Sequence, residues 1–177
     1  MKTLSNYISE KLIINQQVNE KLVINKDYKF NDKYFIYKVD EKDGLCVFNN
    51  GWPEFNDYRN KVYVNNKKVN IGIFGWTIEK FEPGIYEVEI KDIDKVTYCR
   101  YMFATCKQLI RVPLFDTSNI DDMNSMFWGC KNLKEVELLN TQSVKNMDDM
   151  FKNCHNLSDE TKQKWSTVYN FNNNTKK

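Results

Sequence analysis

The fold of this chain is decided by the stretch Leu114–Leu133, which reads LFDTSNIDDMNSMFWGCKNL. Its pattern recurs 24 residues earlier and 24 residues later without an insertion. A fixed period of this length is typical of stacked repeats, each of which buries its apolar side chains against its neighbours. The sequence therefore predicts a repeat array over residues 88–157. The recurring residues are Met102-Phe103, Met126-Phe127 and Met150-Phe151; Cys106, Cys130 and Cys154; Leu109, Leu133 and Leu157; and, in a degenerate first repeat, Val88, Ile90, Val96 and Cys99.

Two apolar spacings alternate within each repeat. A spacing of two residues is typical of a short strand with one buried face, and a spacing of three fits one helical turn. One strand and one helical segment per repeat is the plan of a leucine-rich repeat. We expect both segments to face a shared interior. Their apolar residues are Val112 with Leu114 and Val136 with Leu138 in the strands, and Ile120, Met123, Met126 and Phe127 in the helical turn.

The rest of the chain predicts three further parts. Residues 28–87 contain β-branched and aromatic runs separated by turn sequences, which predict a small antiparallel β unit that continues into the repeats. Residues 158–177 predict a capping helix, with Ser158 as its N-cap, and a polar tail. Residues 1–27 predict an amphipathic helix or a detachable leader, and its apolar face is a candidate targeting segment. That face consists of Leu4, Tyr7, Ile8 and Leu12. The predicted runs of the β unit are 34–39, 45–48, 61–64, 69–74 and 85–90.

The predicted fold class is α+β, with a short leucine-rich-repeat solenoid preceded by the β unit and the N-terminal helix. The quoted stretch resembles the BspA-type leucine-rich repeat, which is also found in mycoplasma and gut-bacterial surface proteins. The resemblance rests on the run FDTS at residues 115–118 and on the Met, Met-Phe, Cys and Leu positions that follow it, and it covers about 88–171. It implies a solenoid that binds proteins and, in long secreted members, acts in adhesion.

A second resemblance concerns the first 27 residues. The start MKTLSNYISEKL, followed by VINKD at residues 23–27, resembles leaders on small proteins of gut Bacteroides phages, including crass-like phages. The resemblance implies a phage-encoded protein whose leader is a sorting or virion-incorporation tag.

Composition excludes several partners. The net charge is +2 and both signs are interspersed, so there is no electrostatic footprint for nucleic acid. No apolar run reaches the length of a secretory signal or of a membrane span. Five cysteines without a CxxC pair predict reduced thiols. We expect a cytoplasmic or virion-associated protein that carries no classical signal peptide.

Catalytic and metal-binding patterns are also lacking in the sequence. The three recurring cysteines and His155 suggest a zinc site, but the interpretation we favour is buried thiols that pack as small apolar groups. The acidic pairs Asp121-Asp122 and Asp148-Asp149 are out of repeat register and are interpreted as solvated. No nucleophile motif or phosphate-binding loop is present. The sequence predicts no enzyme, no cofactor and no metal.

The favoured function is therefore a non-catalytic protein-binding module. Trp128 is the candidate anchor, because the equivalent positions in neighbouring repeats are Ala104 and Lys152 and exposed aromatic residues are enriched in interfaces. Trp52 lies in a turn and is a second candidate, unless it packs against the β unit. The other candidate binding residues are Lys107, Arg111, Lys131 and Lys134. The alternatives are a virion structural or cargo protein, with other virion proteins as partners, and a bacterial surface adhesin.

Overall fold

Three of the predicted β-rich runs, 34–39, 61–64 and 85–90, belong to one mixed six-stranded sheet that also contains strands of the repeats, whereas the runs 45–48 and 69–74 lie outside its strands. The computed structural model describes residues 33–171 of the chain. The strand order is β3-β2-β4-β1-β5-β6. The strands are β1 (Phe35–Val39), β2 (Val62–Val64), β3 (Lys67–Lys68), β4 (Gly84–Ile90), β5 (Leu109–Val112) and β6 (Glu135–Val136). The helices are α1 (Phe55–Tyr58), a 3-10 turn (Ile93–Lys95) and α2 (Asp159–Trp165).

Strand β1 joins the N-terminal strands to the repeats. It pairs antiparallel with β4 on one side and with β5 on the other. Strands β5 and β6 pair in parallel, with Arg111 opposite Glu135 and Val112 opposite Val136, an offset of one 24-residue period. Strand β4, which carries Val88 and Ile90, pairs with β1 and β2 instead of β5. The expected first repeat therefore does not place its strand beside β5, and β1 occupies that position instead.

The predicted fold class, an α+β protein with a short leucine-rich-repeat solenoid preceded by a small antiparallel β unit and an N-terminal helix, is wrong. Within residues 33–171, β5 and β6 are the repeats' only strands, and both belong to the common sheet. The segments expected to be helical are turns, because each contains two left-handed residues four positions apart, which an α-helix of L-residues does not accommodate. These residues are Tyr101 and Thr105, Ser125 and Gly129, and Asp149 and Asn153. The predicted N-terminal helix, with Leu4, Tyr7, Ile8 and Leu12, lies outside the described residues.

The 24-residue period nevertheless sets the packing of these turns. The backbone N–H of Phe103 donates to the carbonyl of Met126 at 3.0 Å, and that of Phe127 donates to Met150 at 3.0 Å. The ring centroids of Phe103 and Phe127 are 5.8 Å apart with an interplanar angle of 4°. Stacked rings continue in both directions. This phenylalanine column consists of Phe48, Phe103, Phe127, Phe151 and Phe171.

Residues 46–49 take the place of a preceding repeat. Phe48 stacks on Phe103 with a centroid distance of 6.1 Å. The N–H of Asn49 donates to the carbonyl of Met102 at 2.9 Å, and its side-chain amide donates to that of Ala104 at 3.1 Å. The column thus extends beyond the periodic sequence through a segment that has no repeat signature.

Helix α2 closes the opposite end of the stack. Its predicted N-cap is confirmed, since the hydroxyl of Ser158 accepts a hydrogen bond from the N–H of Thr161 at 3.1 Å. The N–H of Ser158 and the hydroxyl of Thr161 both donate to the carbonyl of Lys134. The indole N–H of Trp165 donates to the carbonyl of Val136 at 3.1 Å. Helix α2 therefore satisfies carbonyl groups at the edge of β6 that a further strand would otherwise use.

Candidate interaction surfaces

The most exposed apolar side chains are concentrated in one short loop. Four of them lie within six residues, with exposed fractions between 39% for Trp76 and 68% for Phe74 and Ile78. Contiguous exposed apolar groups of this kind mark interaction sites in soluble proteins. We call this loop the apolar tip; its exposed residues are Ile73, Phe74, Trp76 and Ile78. The sequence prediction missed it, because residues 69–74 fit the composition of a strand.

The apolar tip is a tight hairpin held against the body of the protein. A bridge between Ile71 and Thr77 closes its base. Within it, the N–H of Gly72 donates to the carbonyl of Trp76 at 2.7 Å. The carbonyl of Gly75 accepts hydrogen bonds from the N–H groups of Val47 at 3.0 Å and Phe48 at 3.3 Å. The tip is therefore fixed to the segment that carries the first ring of the phenylalanine column.

Glycine is required at position 75 for two reasons. Its φ is +82°, a conformation that L side chains rarely adopt. A Cβ atom there would also lie 1.9 Å from the carbonyl oxygen of Phe48. The two glycines at positions 72 and 75, inside an apolar run, are the sequence signal that could have revealed a hairpin in place of a strand.

Three lysines flank the tip in the sequence. Lys67, Lys68 and Lys80 are all exposed. Within residues 33–171 no carboxylate lies within salt-bridge distance of these three lysines. Two carboxylates lie nearby. Glu79 accepts hydrogen bonds from the backbone N–H of Asn70, and Glu82 forms an ion pair with Lys42.

A second surface contains three of the predicted binding residues. Trp128 is 37% exposed, and its carbonyl accepts a hydrogen bond from the N–H of Thr105 at 2.6 Å. Lys107 and Lys131 occupy equivalent positions in these two stacked repeats and are both exposed. We call the surface formed by Trp128, Lys107 and Lys131 the Trp128 corner. In the described part of the chain, neither lysine has a carboxylate within salt-bridge distance.

Trp52 is not an exposed anchor. It is 2% exposed, and its indole N–H donates to the carbonyl of Tyr98 at 2.6 Å. Its ring lies between those of Phe48 and Tyr58, with centroid distances of 5.1 and 5.2 Å. The alternative interpretation, packing within the β unit, is the one that the structure supports.

Arg111 and Lys134 also lie away from the Trp128 corner. Arg111 is buried in β5, with its Nε atom 3.4 Å from a carboxylate oxygen of Glu135 and its Nη2 atom 3.7 Å from one of Glu137. It therefore connects neighbouring repeats across the sheet. Lys134 is half-buried and its carbonyl receives hydrogen bonds from helix α2. The targeting residues Leu4, Tyr7, Ile8 and Leu12 lie outside the described residues.

The strand alternation predicted for the repeats fails after two residues. Leu114 is 62% exposed and Leu138 is also exposed, whereas Phe115 and Leu139 are buried. In both repeats the regular strand ends at the equivalent position, β5 at Val112 and β6 at Val136. The inward position consequently moves one residue further along the chain. The prediction that Leu114 and Leu138 face the interior is wrong.

The cysteines lie in the core. The thiols of Cys130 and Cys154 donate to the carbonyl oxygens of Phe103 and Phe127, each at 2.9 Å. The Sγ atoms of Cys46 and Cys106 are 3.3 Å apart. Burial raises the pKa of Cys154 to about 12 and raises that of Cys130 well above its usual value. Since thiolates are the metal-binding and nucleophilic form, Cys130 and Cys154 remain thiols at neutral pH.

Two further features bear on possible partners. Within residues 33–171, no cluster of histidine, cysteine or acidic side chains has an arrangement that could hold a metal ion. No helix in that range is long and apolar enough to cross a bilayer.

These features define a protein of stacked 24-residue repeats that share one sheet with the strands preceding them. Residues 76–176 match the family model described as "Mycoplasma protein of unknown function, DUF285". The match covers 101 of the 177 residues, more than half, and the chain belongs to this family. This match confirms the resemblance to mycoplasma repeat proteins that the sequence indicated. No curated protein and no solved structure matches the chain.

Proposed function

We propose that this protein is a non-catalytic protein-binding module whose binding surface is the Trp128 corner. The observation that carries the proposal is a part-exposed tryptophan beside two lysines that no described carboxylate neutralises. Tryptophan is enriched among the residues that dominate binding energies. Lysines on the rim steer a partner of opposite charge. The expected partner is therefore a protein segment with acidic residues around an apolar pocket for the indole ring.

The experiment is chemical cross-linking and affinity capture with the full chain in a lysate of a gut Bacteroides strain, the host that the resemblance of residues 1–27 implies. The captured protein is then purified and its affinity measured against variants. We expect Trp128→Ala to weaken binding at least about tenfold, as for an interfacial hot spot. Lys107→Glu combined with Lys131→Glu should reduce the association rate and its dependence on salt.

Lys145→Glu is the matched control, because Lys145 is exposed on the third repeat and forms an ion pair with Asp121. It should leave binding unchanged. A partner that binds Trp128→Ala as tightly as the original chain contradicts the proposal.

A second candidate function rests on the resemblance of residues 1–27 to phage leaders. In this proposal the protein is phage-encoded and these residues direct it into the virion, either as a structural component or as cargo. Deletion of residues 1–27 should remove the protein from purified particles while it still accumulates in infected cells. Its retention in the particles contradicts a targeting role.

A further inference from the structure

We propose that the apolar tip inserts into the surface of a bilayer that contains anionic lipids. This inference is independent of the Trp128 corner and goes beyond protein binding. It rests on the composition of the tip, on its rigid backbone and on the lysines behind it.

The tip has the composition of an interfacial anchor. It presents two isoleucines, a phenylalanine and a tryptophan, all more than a third exposed. Tryptophan is enriched at the boundary between acyl chains and headgroups, because its ring is apolar and its N–H is polar. Three large apolar side chains besides Trp76 give the tip enough apolar area for partial insertion.

Part of the tip's backbone is hydrogen-bonded internally. Peptide groups that enter the apolar boundary need internal hydrogen bonds. The N–H of Gly72 donates to the carbonyl of Trp76, and the N–H of Gly75 donates to the carbonyl of Gly72 at 3.1 Å. The carbonyl oxygen of Gly75 accepts two hydrogen bonds, from the N–H groups of Val47 and Phe48. The hairpin therefore bonds the polar groups of its two glycines internally, whereas the N–H groups of Ile73 and Phe74 donate no hydrogen bond within residues 33–171 and would stay at the hydrated headgroup level.

The positive charges lie close to the tip along the chain. Lys68 is three residues before Ile71, at the base of the hairpin, which is about 10 Å along an extended chain. Interfacial segments bury their apolar face about 5–10 Å into the headgroup boundary. Lys67, Lys68 and Lys80 would then lie at the level of lipid phosphates. Glu79 and Asp43, which lies beside Phe81, oppose them with one charge each, and Glu82 is paired with Lys42, so the local excess is one positive charge.

The high exposure of all four side chains distinguishes this proposal from the alternatives. A protein groove or a second copy of the chain would have to supply a pocket for four protruding side chains. In a second copy, moreover, the three lysines around one tip would approach the three around the other. An anionic bilayer needs no pocket and neutralises the lysines. The charge complementarity therefore favours the bilayer.

The test is co-sedimentation of the full chain with vesicles made of equal parts phosphatidylcholine and phosphatidylglycerol, and with vesicles of phosphatidylcholine alone. We expect binding to the mixed vesicles that weakens with salt, and much weaker binding to the neutral ones. Phe74→Ser and Ile73→Ser should each weaken binding about tenfold or more, because each removes a large inserted side chain. Lys67→Glu combined with Lys68→Glu should abolish the preference for anionic lipid.

Two controls separate insertion from nonspecific adhesion. Leu114→Ser changes an equally exposed apolar residue outside the tip and should leave binding unchanged. The fluorescence of the original chain should shift to the blue on vesicle binding, and Trp76→Phe should remove that shift. Trp128→Ala should retain vesicle binding, so failure of the protein-binding proposal is distinguishable from failure of this one.

The proposal is overturned if the chain does not sediment with the mixed vesicles or if Phe74→Ser binds as well as the original chain. It is equally overturned if the tip substitutions only abolish association of the chain with itself or with a protein, which would make the tip a protein interface. Circular dichroism of each variant must match that of the original chain before its binding is compared.

Discussion

The glycine-to-alanine substitution at positions 75 and 129 should have very different consequences, although both residues have left-handed backbones. At Gly129 (φ +72°) the nearest atom to a new Cβ is Cγ2 of Thr105 at 3.6 Å, an ordinary contact. Gly129→Ala should therefore destabilise the protein only through the left-handed conformation of the alanine, which costs about 1–2 kcal/mol. The smaller entropy of the unfolded alanine chain offsets about 0.4–1 kcal/mol of this. The expected net loss is about 1 kcal/mol.

At Gly75 the same substitution also creates a collision, because the new Cβ would lie 1.9 Å from the carbonyl oxygen of Phe48. Relief requires the tip to move away, which breaks the hydrogen bonds that the N–H groups of Val47 and Phe48 donate to Gly75. Both residues are fully buried, and each unsatisfied donor costs about 1–3 kcal/mol. With the conformational term, Gly75→Ala should lose about 3–7 kcal/mol.

Equilibrium unfolding in urea, followed by tryptophan fluorescence and by circular dichroism, measures both variants on one scale. Gly75→Ala should have a far lower midpoint than Gly129→Ala, or fail to fold. Hydrogen exchange should show that Gly75→Ala deprotects the amides of Val47 and Phe48 first. Equal destabilisation of the two variants, or the reverse order, would refute the reasoning.

Three further predictions follow from the stack. Phe127→Ala, in the middle of the phenylalanine column, should lose about 3–5 kcal/mol of unfolding free energy in urea, whereas Phe171→Ala, half-buried at its end, should lose less than half as much. The pKa of Cys154 is raised from 9.0 to about 12 in the folded chain, so its thiol ionises at lower pH when the chain is unfolded. Its stabilising contribution should be complete below about pH 9 and should fall between about pH 9 and 12. Urea titrations should show this fall in the free energy of unfolding, and Cys154→Ala should reduce it. Ser158→Ala removes the N-cap of α2 and should lower the free energy of unfolding in urea by about 1 kcal/mol. Ser166→Ala, at the other end of the helix, should change it little.

The repeat period was the part of the fold that the sequence predicted best. Residues 24 apart do stack, as the rings of Phe103, Phe127 and Phe151 show. The conformation between them was not predictable from apolar spacing. Met123, Met126 and Phe127 fit a helical turn, yet Ser125 and Gly129 are left-handed and produce a sequence of turns. Spacing records which side chains are buried, and several backbone paths bury the same ones.

Long-range pairing was the second limit. The β-rich runs at 34–39, 61–64 and 85–90 correspond to strands, but no local signal indicates that β1 pairs with β5 of the repeats. Nor does periodicity identify residues 46–49 as the layer before the first repeat, since Phe48 and Cys46 lie outside the 24-residue register.

The same limits explain which residues of the candidate surfaces the sequence could predict. The exposure of Trp128 was predictable because its position varies between stacked repeats, whereas Lys107 and Lys131 were predicted to be exposed as parts of the turns and strand faces of the repeats. Trp52 was misplaced because a tryptophan in a turn is exposed or buried according to what packs on it. The apolar tip was missed because Ile71, Ile73 and Phe74 have strand-forming side chains, and the effect of Gly75 depends on its distance from Phe48.

The way the repeats meet has a consequence for how this architecture varies in length. Helix α2 occupies the carbonyl groups beside β6, and Lys67 and Lys68 lie on β3 at the other edge of the sheet, where charged side chains disfavour pairing with a further strand. Between these edges, the two repeat junctions use equivalent hydrogen bonds, and their stacked rings are 5.8 and 5.5 Å apart. Within residues 33–171 the stack can therefore be extended in its interior. A duplicated 24-residue unit inserted after Leu133 would find a matching surface on both sides.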